Sequence, residues 1–339
     1  MNKTINKELI IIGGGPAGLK AAQEAAGYGL DYIILEKGKI GQAWRDIRPQ
    51  MSMLSPCHPQ RDWTSLDQRF PIWKLDVQRP YCTAGEFSSY LQAFADFYRL
   101  NIQEDCRVIS VDFDGHRFFA EDKEKNEYSA PFLLLANGIF NNPFIPDIPG
   151  LNTNKNFIHS HFYKGPELFR GKRVLVVGAG NSAAEIAVEL SGYSMVYLAS
   201  RDRLKFFSET NRLYHIRGIY ESYLRELIRM EIIRLLEQKE ITQLKENRVF
   251  FGAEQLRVDK IIFATGYRPD HSIFHKLRTD RNKKFSLFKT ADSSAAGFQG
   301  LYFAGANIAQ PKSVVTIHSF IKYIPGLIEE IYYKLQTSD

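Results

Sequence analysis

The sequence has few cysteines for its length, and they lie far apart. Cys57, Cys82 and Cys106 are the only three among 339 residues. An odd number of widely spaced cysteines excludes a disulfide framework and a C-x-x-C redox pair. No His/Cys spacing indicates a metal site, and no nucleophile-elbow motif indicates a catalytic serine. Chemistry that depends on a C-x-x-C dithiol is therefore excluded.

Long apolar runs and concentrated charge are also lacking. No apolar run is long enough to span a bilayer, and no secretory apolar region precedes the first predicted strand, so we expect a cytoplasmic protein without a membrane partner. The formal net charge is +6, but the basic residues are scattered, which argues against nucleic-acid binding. The hydrophobic content of 44% and the chain length predict a globular protein of about two domains.

Two glycine-rich loops, 165 residues apart, are the most informative feature that is present. A lone G-x-G-x-x-G pattern is weak evidence, but here each copy follows a short apolar run and opens into an alanine-rich stretch. Glycines at these positions permit a tight turn and a close approach of the backbone to a pyrophosphate. The two copies are Gly13-Gly14-Gly15-Pro16-Ala17-Gly18 and Gly178-Ala179-Gly180-Asn181-Ser182-Ala183.

The segments around both loops predict the same strand–helix–strand unit. Each unit begins with a strand, continues through the loop into a helix, and ends with a second strand. The predicted strands, helices and second strands are Glu8–Ile12, Ala17–Ala26 and Tyr32–Leu35 in the first copy, and Arg173–Val177, Ala183–Leu190 and Met195–Ala199 in the second.

A residue just beyond the second predicted strand differs between the copies. It lies 18 positions beyond the last loop residue in both, and it is Glu36 in the first copy and Arg201 in the second. An acid at this position hydrogen-bonds a ribose 2′-hydroxyl, whereas an arginine, here with Arg203 nearby, accommodates a 2′-phosphate. The chain is therefore predicted to bind two different dinucleotides and to transfer electrons between them.

The order of these units predicts an α/β fold of two Rossmann-like domains, the second inserted into the first. We expect the first domain to comprise residues 1–165 and 280–339, and the second residues 166–279. Thr83 and Glu86 form a capping box that begins a helix. Tyr220–Glu240 is predicted to be one amphipathic helix. The tail is predicted to return with a strand, Gly300–Ala304, and a helix from about Lys312 to Leu335, whose N-terminus could face a cofactor.

Across nearly the whole chain the sequence resembles the flavin-containing monooxygenase family, particularly its short bacterial members. Five segments carry the resemblance, and their order and spacing are more specific than any one of them. They are Gly41-Gln42-Ala43-Trp44 (the family has G-G-x-W), Tyr81–Leu91, Leu135-Ala136-Asn137-Gly138, His159–Tyr163 (H-S-x-x-[YF]), and Ala264-Thr265-Gly266-Tyr267 (A-T-G-[YF]).

The resemblance implies FAD at the first loop, NADPH at the second, and activation of O2 by the reduced flavin. It implies a small-molecule substrate, either a soft nucleophile or a carbonyl, that receives one oxygen atom. It assigns no catalytic side chain, and homo-oligomerisation stays open. Besides the loops, Glu36, Arg201 and Arg203, the residues that it places at the cofactors are Lys37, Gln42, Ala43, Trp44, Ala136, Gly138, Thr265, Gly266 and Gly305.

The chain departs from the family pattern at two places. The family fingerprint has phenylalanine and glycine where this chain has Thr153 and Lys155. Many members have an asparagine near the flavin where this chain has Pro56, although short bacterial members also carry Ser-Pro there. The second departure leaves plain reduction open as an alternative to oxygen transfer.

The alternative is a reductase similar to bacillithiol-disulfide reductases, which the segment Gly300–Ala306 also resembles. Those enzymes carry a cysteine in the first loop, where this chain has Ala17. Cys57 could replace that thiol, or it could be an inert, half-buried side chain. His159 and His161 could lie near NADPH or serve as local hydrogen-bond partners. A flavin-binding sensor without catalytic activity is a third possibility.

Overall fold

The computed structural model describes residues 4–280, 283–284, 294–295, 298–307 and 316–337. The chain divides into two compact units, Met1–Asn141 with Pro269–Asp339, and Asn142–Arg268. The second unit thus interrupts the first. Both contain parallel sheets with helices, which confirms the predicted α/β fold with one nucleotide-binding domain inserted into another.

The borders of the inserted unit differ from the expected residues 166–279. Residues 142–165 join it because strand Phe157–His159 pairs in parallel with Lys260–Phe263. Residues 269–279 join the first unit, where Phe274 is buried in the core around Leu133 and Phe303. A strand pairing and a core contact therefore set these borders, and neither has a local signal in the sequence.

The helices are α1 (Pro16–Gly27), α2 (Gln42–Asp46), α3 (Ala84–Tyr98), α4 (Asn181–Leu190), α5 (Phe207–Thr210), α6 (Gly218–Arg229), α7 (Ile317–Ile321) and α8 (Ile324–Gln336). The strands up to the inserted unit are β1 (Ile5–Asn6), β2 (Leu9–Ile12), β3 (Tyr32–Leu35), β4 (Cys57–His58), β5 (Arg61–Asp62), β6 (Ile102–Gln103), β7 (Val108–Phe113), β8 (Phe118–Asp122), β9 (Glu127–Ala130) and β10 (Phe132–Leu135). Those of the inserted unit are β11 (Phe157–His159), β12 (Arg173–Val177), β13 (Met195–Ser200), β14 (Ile233–Glu237), β15 (Gln243–Lys245), β16 (Arg248–Phe251), β17 (Glu254–Arg257) and β18 (Lys260–Phe263). After it come β19 (Arg278–Asp280), β20 (Lys283–Lys284), β21 (Ser294–Ala295) and β22 (Phe298–Phe303).

The first unit is built on a sheet with the strand order β21-β22-β10-β2-β3-β6. The central strands β2 and β10 are buried along their whole length, and each is an uninterrupted apolar run, as expected for parallel strands covered on both faces. A second sheet, β1-β9-β8-β7, contains the meander that follows α3. The capping box of α3 is confirmed, since Thr83 Oγ1 accepts from Glu86 N and the Glu86 carboxylate accepts from Thr83 N.

The inserted unit is built on an all-parallel sheet with the order β11-β18-β12-β13-β14. Helix α4 packs its alanines and Ile186 against this sheet, together with α6. A three-stranded antiparallel sheet, β15-β16-β17, contributes Leu244 and Val249 to a second core, which also contains Leu175 and Phe263 of the parallel sheet.

The prediction of one helix over Tyr220–Glu240 is wrong. Helix α6 ends at Arg229, and Ile233–Glu237 is instead the edge strand β14, paired with β13. Glu231 has a φ of 58°, a left-handed conformation that an α-helix cannot contain. The β-branched Ile232 and Ile233 that follow favour a strand, and the partner strand β13 determines the outcome.

The tail contains two helices where one was expected. Pro325 lies in the first turn of α8, where proline is tolerated. Inside a longer helix, proline would lack the N–H for a hydrogen bond and its ring would clash with the preceding turn. Helices α7 and α8 are therefore separate. The expected start of the tail helix near Lys312 lies outside the described residues.

Candidate cofactor sites

The first glycine loop connects β2 to α1, and two of its glycines are required by sterics. Gly13 has a φ of +113°, and a Cβ there would lie 2.6 Å from the carbonyl oxygen of Ala136. A Cβ on Gly18 would lie 1.9 Å from the carbonyl oxygen of Gly13. The loop therefore folds back on itself and against the end of β10, which brings Ala136 beside Gly13.

Gly15 differs from these two, because a Cβ there would meet nothing within 4 Å. Its φ of −87° is accessible to any residue, and it is the N-cap of the 12-residue helix α1 without a side-chain cap. The first N–H groups of a helix have no partner within the helix and carry a partial positive charge. Open space at such a helix end is compatible with a pyrophosphate group, and binding of a dinucleotide at this loop stays a prediction.

Glu36 follows β3 and lies beside the loop. Its carboxylate is buried and accepts hydrogen bonds from Gly14 N at 2.6 Å and from Gly38 N at 3.0 Å. Burial raises the pKa of Glu36, and the two backbone N–H groups oppose this shift. A carboxylate has about four lone-pair sites, so Glu36 keeps acceptor capacity for ribose hydroxyls.

The segment after Glu36 is turned mainly toward the protein itself. Trp44 is buried, with edge-to-face contacts to Phe87 at 5.0 Å and Phe140 at 5.1 Å. The Gln42 side chain accepts from Lys39 N and donates to Asp46, so it bonds within its own turn. Ala43 is partly buried and Lys37 is exposed. These contacts explain the local fold, and a flavin contact by these residues stays a prediction.

Two further glycines lie in the same unit as the first loop. Gly138, after β10, has a φ of +64°, and Gly305, after β22, has a φ of +77°. A Cβ on Gly305 would lie 3.0 Å from the Cβ of Ala17 at the start of α1. The N–H of Gly305 donates to the Tyr323 hydroxyl at 2.8 Å, a contact that no sequence motif indicated.

The second loop repeats the geometry of the first in the inserted unit. Gly178 has a φ of +151°, and a Cβ there would lie 2.4 Å from the carbonyl oxygen of Ala264 and 3.3 Å from the Cβ of Ala183. Gly180 has nothing within 4 Å of its Cβ position, and it is the N-cap of α4 without a side-chain cap. The second loop therefore also presents an open helix N-terminus.

Asn181 and Ser182 begin α4. The Asn181 amide accepts from Arg217 N at 3.0 Å and donates to the His215 carbonyl oxygen at 3.0 Å. Asn181 thus fixes the start of α4 to the segment before α6, which is a structural role. Ser182 is exposed.

Arg201 follows β13 as Glu36 follows β3, but Arg201 is exposed to solvent whereas Glu36 is buried. The Arg201 side chain is 77% exposed, and it pairs with the carboxylate of Glu240, itself 71% exposed, at 3.9 Å. Such surface pairs contribute about 0–1 kcal/mol, so an anion could replace Glu240 at little cost. Arg203 is also exposed. The guanidinium groups can therefore reach a phosphate in solvent.

Thr265 and Gly266 follow β18 and pair with the segment that enters the inserted unit. The Gly266 carbonyl oxygen accepts from Phe144 N at 2.9 Å, and the Thr265 hydroxyl donates to the Phe144 carbonyl oxygen. His159 is buried at the end of β11, where its Nδ1 accepts from His161 N at 3.0 Å and its Nε2 lies 3.0 Å from the Gly266 carbonyl oxygen. Since Nδ1 accepts, Nε2 carries the proton and donates to Gly266.

Burial lowers the pKa of His159 to about 4. Between about pH 6.5 and 4, the ring stays neutral in the folded state but binds a proton in the unfolded chain. We expect the free energy of unfolding to fall by about 1 kcal/mol between pH 7 and 5.5 from this group alone. In His159→Gln that contribution should vanish; identical pH profiles of urea unfolding for the two proteins would contradict the assignment.

In the described part of the chain, no cluster of three or more His, Cys, Asp or Glu side chains could hold a metal ion. No described helix is both long and apolar enough to cross a membrane.

Comparison with known proteins agrees with this geometry. Residues 10–305 match the family model described as pyridine nucleotide-disulphide oxidoreductase. The chain is 29% identical to the uncharacterised oxidoreductase CzcO of Bacillus subtilis over 289 residues, which cover 77% of this chain and 81% of that protein.

Two solved structures share the fold at low sequence identity. The flavin-containing monooxygenase of Stenotrophomonas maltophilia has a TM-score of 0.82 at 20% identity, with 98% of this chain and 100% of that one covered. The bacillithiol disulfide reductase of Staphylococcus aureus also has a TM-score of 0.82, at 21% identity, with 99% and 100% covered. The chain therefore belongs to the pyridine nucleotide-disulphide oxidoreductase family, as a flavoprotein oxidoreductase that shares the fold of a flavin-containing monooxygenase.

Proposed function

We propose that the protein is an FAD-dependent, NADPH-consuming monooxygenase that transfers one oxygen atom from O2 to a small soft nucleophile or carbonyl. One observation carries the assignment of the two cofactors. Each of the two units contains an open helix N-terminus. The residue that follows β3 in the first unit is the buried acid Glu36, whereas the residue that follows β13 in the inserted unit is the exposed Arg201.

In the first unit, the backbone around Gly15 and the start of α1 would hold the pyrophosphate of FAD. Gly13 and Gly18 keep the loop tight, Pro16 begins the helix without a competing N–H, and Ala17 is small. Glu36 would accept from the ribose hydroxyls of the adenosine. Gly138, Gly305 and Trp44 are proposed to line the flavin. When bound, FAD supplies the electron transfer and the activation of oxygen.

In the inserted unit, the start of α4 at Gly180 would hold the pyrophosphate of NADPH. Arg201, with Arg203, would bind the 2′-phosphate through charge-assisted hydrogen bonds. Asn181 would act indirectly, because both ends of its amide already bind the protein. Thr265 and Gly266 are proposed to position the end of β18 beside this site. The His159 ring holds Gly266 in place through the hydrogen bond to its carbonyl oxygen.

The second candidate function, reduction of a small disulfide, has the same fold in its favour, since the two solved structures share equal TM-scores with this chain. Residue chemistry favours the monooxygenase. Ala17 stands in the first loop where the resemblance to bacillithiol-disulfide reductases calls for cysteine. All three cysteines of this chain are buried.

The electron acceptor can be identified by turnover of the FAD-loaded protein with NADPH. We expect NADPH oxidation to require oxygen, and added amines or thioethers to lower the fraction of oxygen released as hydrogen peroxide. Without oxygen, a low-molecular-weight disulfide should support no turnover. Anaerobic turnover with the disulfide, faster than turnover in air, would favour the reductase and refute the monooxygenase.

A further inference from the structure

Tyr323 lies at the junction of the two tail helices, α7 and α8. It is the N-cap residue of α8, and Leu327 N donates to its carbonyl oxygen at 3.2 Å. Helix α8 packs against α1, since Leu327 and Ile328 share a core cluster with Leu19 of α1. Packed helices therefore fix the position of Tyr323.

The Tyr323 hydroxyl reaches the end of β22. It accepts a hydrogen bond from Gly305 N at 2.8 Å. A Cβ on Gly305 would lie 3.0 Å from the Cβ of Ala17, which is in the first turn of α1. A chain of contacts thus connects the hydroxyl to the helix start where the pyrophosphate of FAD is proposed to lie.

The proton of this hydroxyl is available for a further hydrogen bond. A tyrosine hydroxyl can accept and donate at the same time. Burial raises the pKa of Tyr323, against the opposing effect of the Gly305 N–H, so the hydroxyl keeps its proton at neutral pH. Within the described part of the chain, no group accepts that proton.

Tyr302, in the same unit, shows a hydroxyl that uses both capacities. It accepts from Lys334 Nζ at 2.8 Å and donates to the Glu330 carboxylate at 2.9 Å. Buried tyrosines usually find such partners. Tyr323 is half-buried and uses only its acceptor capacity, which leaves one donor beside the first loop.

We propose that Tyr323 is an FAD-binding residue, whose hydroxyl holds Gly305 in place and donates its proton to a phosphate oxygen of FAD. This role rests on the proposed placement of FAD at the first loop. A phosphate oxygen fits the donor because a hydrogen bond from a hydroxyl to an anionic oxygen is short and strong. The partial positive charge at the start of α1 favours the same group.

The variant Tyr323→Phe removes the hydroxyl and keeps the ring. In titrations of the apoprotein, we expect its FAD dissociation constant to rise about 10-fold, because one charge-assisted hydrogen bond is lost. Tyr302→Phe is the matched control, since it removes a buried hydroxyl whose hydrogen bonds go to α8. The control should bind FAD like the wild type, although both variants should unfold at a lower urea concentration.

The comparison separates a binding role from a structural one. An unchanged FAD affinity of Tyr323→Phe, or an equal loss of affinity in both variants, overturns the role of Tyr323. A Gly15→Ala variant, made in parallel, shows which proposal has failed. If it weakens FAD binding while Tyr323→Phe does not, only the role of Tyr323 is refuted; if neither variant does, the placement of FAD is refuted with it.

Hydrogen exchange of the wild type decides the matter where Tyr323→Phe does not fold. Bound FAD should slow the exchange of the Gly305 amide, because the hydroxyl that accepts from it is then held from both sides. The amides of β16 in the inserted unit serve as the reference and should exchange at the same rate with and without FAD. Exchange at Gly305 that FAD leaves unchanged overturns the proposal.

Discussion

Replacing Gly15 with alanine is expected to weaken FAD binding by about 10- to 100-fold, or about 1.4 to 2.7 kcal/mol. In the protein alone, the added methyl group meets nothing within 4 Å, and the φ of −87° suits alanine. The fold should therefore tolerate the change. Alanine lowers the conformational entropy of the unfolded chain, which stabilises the fold by about 0.4–1 kcal/mol. The proposed pyrophosphate, however, needs that same space.

This effect is measured by titrating the apoprotein with FAD and by unfolding both proteins in urea. Gly27→Ala is the matched control, because it lies at the other end of α1 and its Cβ also meets nothing within 4 Å. We expect the control to bind FAD like the wild type. Equal FAD affinity of Gly15→Ala and Gly27→Ala would contradict the placement of FAD at this loop.

Replacing Arg201 with glutamate is expected to change the preference for NADPH over NADH by about 100-fold, in favour of NADH. Each charge-assisted hydrogen bond to the 2′-phosphate contributes about 1.5–3 kcal/mol, and the new carboxylate repels that phosphate. In NADH the same carboxylate can accept from the ribose 2′-hydroxyl, as is proposed for Glu36. Because the Arg201 side chain is 77% exposed, the fold should not suffer.

The measurement is the rate of anaerobic flavin reduction over a range of NADPH and NADH concentrations. Lys245→Glu is the matched control, since it makes the same charge change at an exposed position on β15 of the same unit. It should leave the preference within about twofold, because an exposed charge that does not contact the cofactor is screened by salt over about 10 Å at 0.1 M. An unchanged preference in Arg201→Glu would remove the proposed role of this residue.

The parts of the fold that could be predicted from sequence are those with a local physical cause. Tyr32–Leu35 and Arg173–Val177 have the predicted bounds, because buried parallel strands are short apolar runs ended by glycine or charge. The capping box at Thr83 was readable because both of its partners lie within one turn. The two glycine-rich loops were recognisable as strand-to-helix turns because their glycines recur at fixed spacing.

The parts that could not be predicted depend on residues distant in sequence. Ile233–Glu237 carries a helix-compatible pattern, and only pairing with β13 makes it a strand. The His159 ring has its hydrogen-bond partner in the carbonyl oxygen of Gly266, which lies 107 positions away in the sequence. The spacing of Cys57 and Cys82 excluded a C-x-x-C motif, yet the segments that carry them are joined by backbone hydrogen bonds. The exposure of the Arg201 side chain likewise has no local signal in the sequence.

The central claim is that one chain binds FAD and NADPH and passes electrons from the second to oxygen through the first. The most direct measurement is stopped-flow spectroscopy of the FAD-loaded protein, first mixed anaerobically with NADPH and then with oxygenated buffer. We expect NADPH to bleach the flavin faster than NADH does, and oxygen to restore the oxidised spectrum through a transient distinct from both end states. A flavin that NADPH fails to bleach, or one that oxygen reoxidises in a single step with full release of peroxide in the presence of amines, thioethers and ketones, would contradict it.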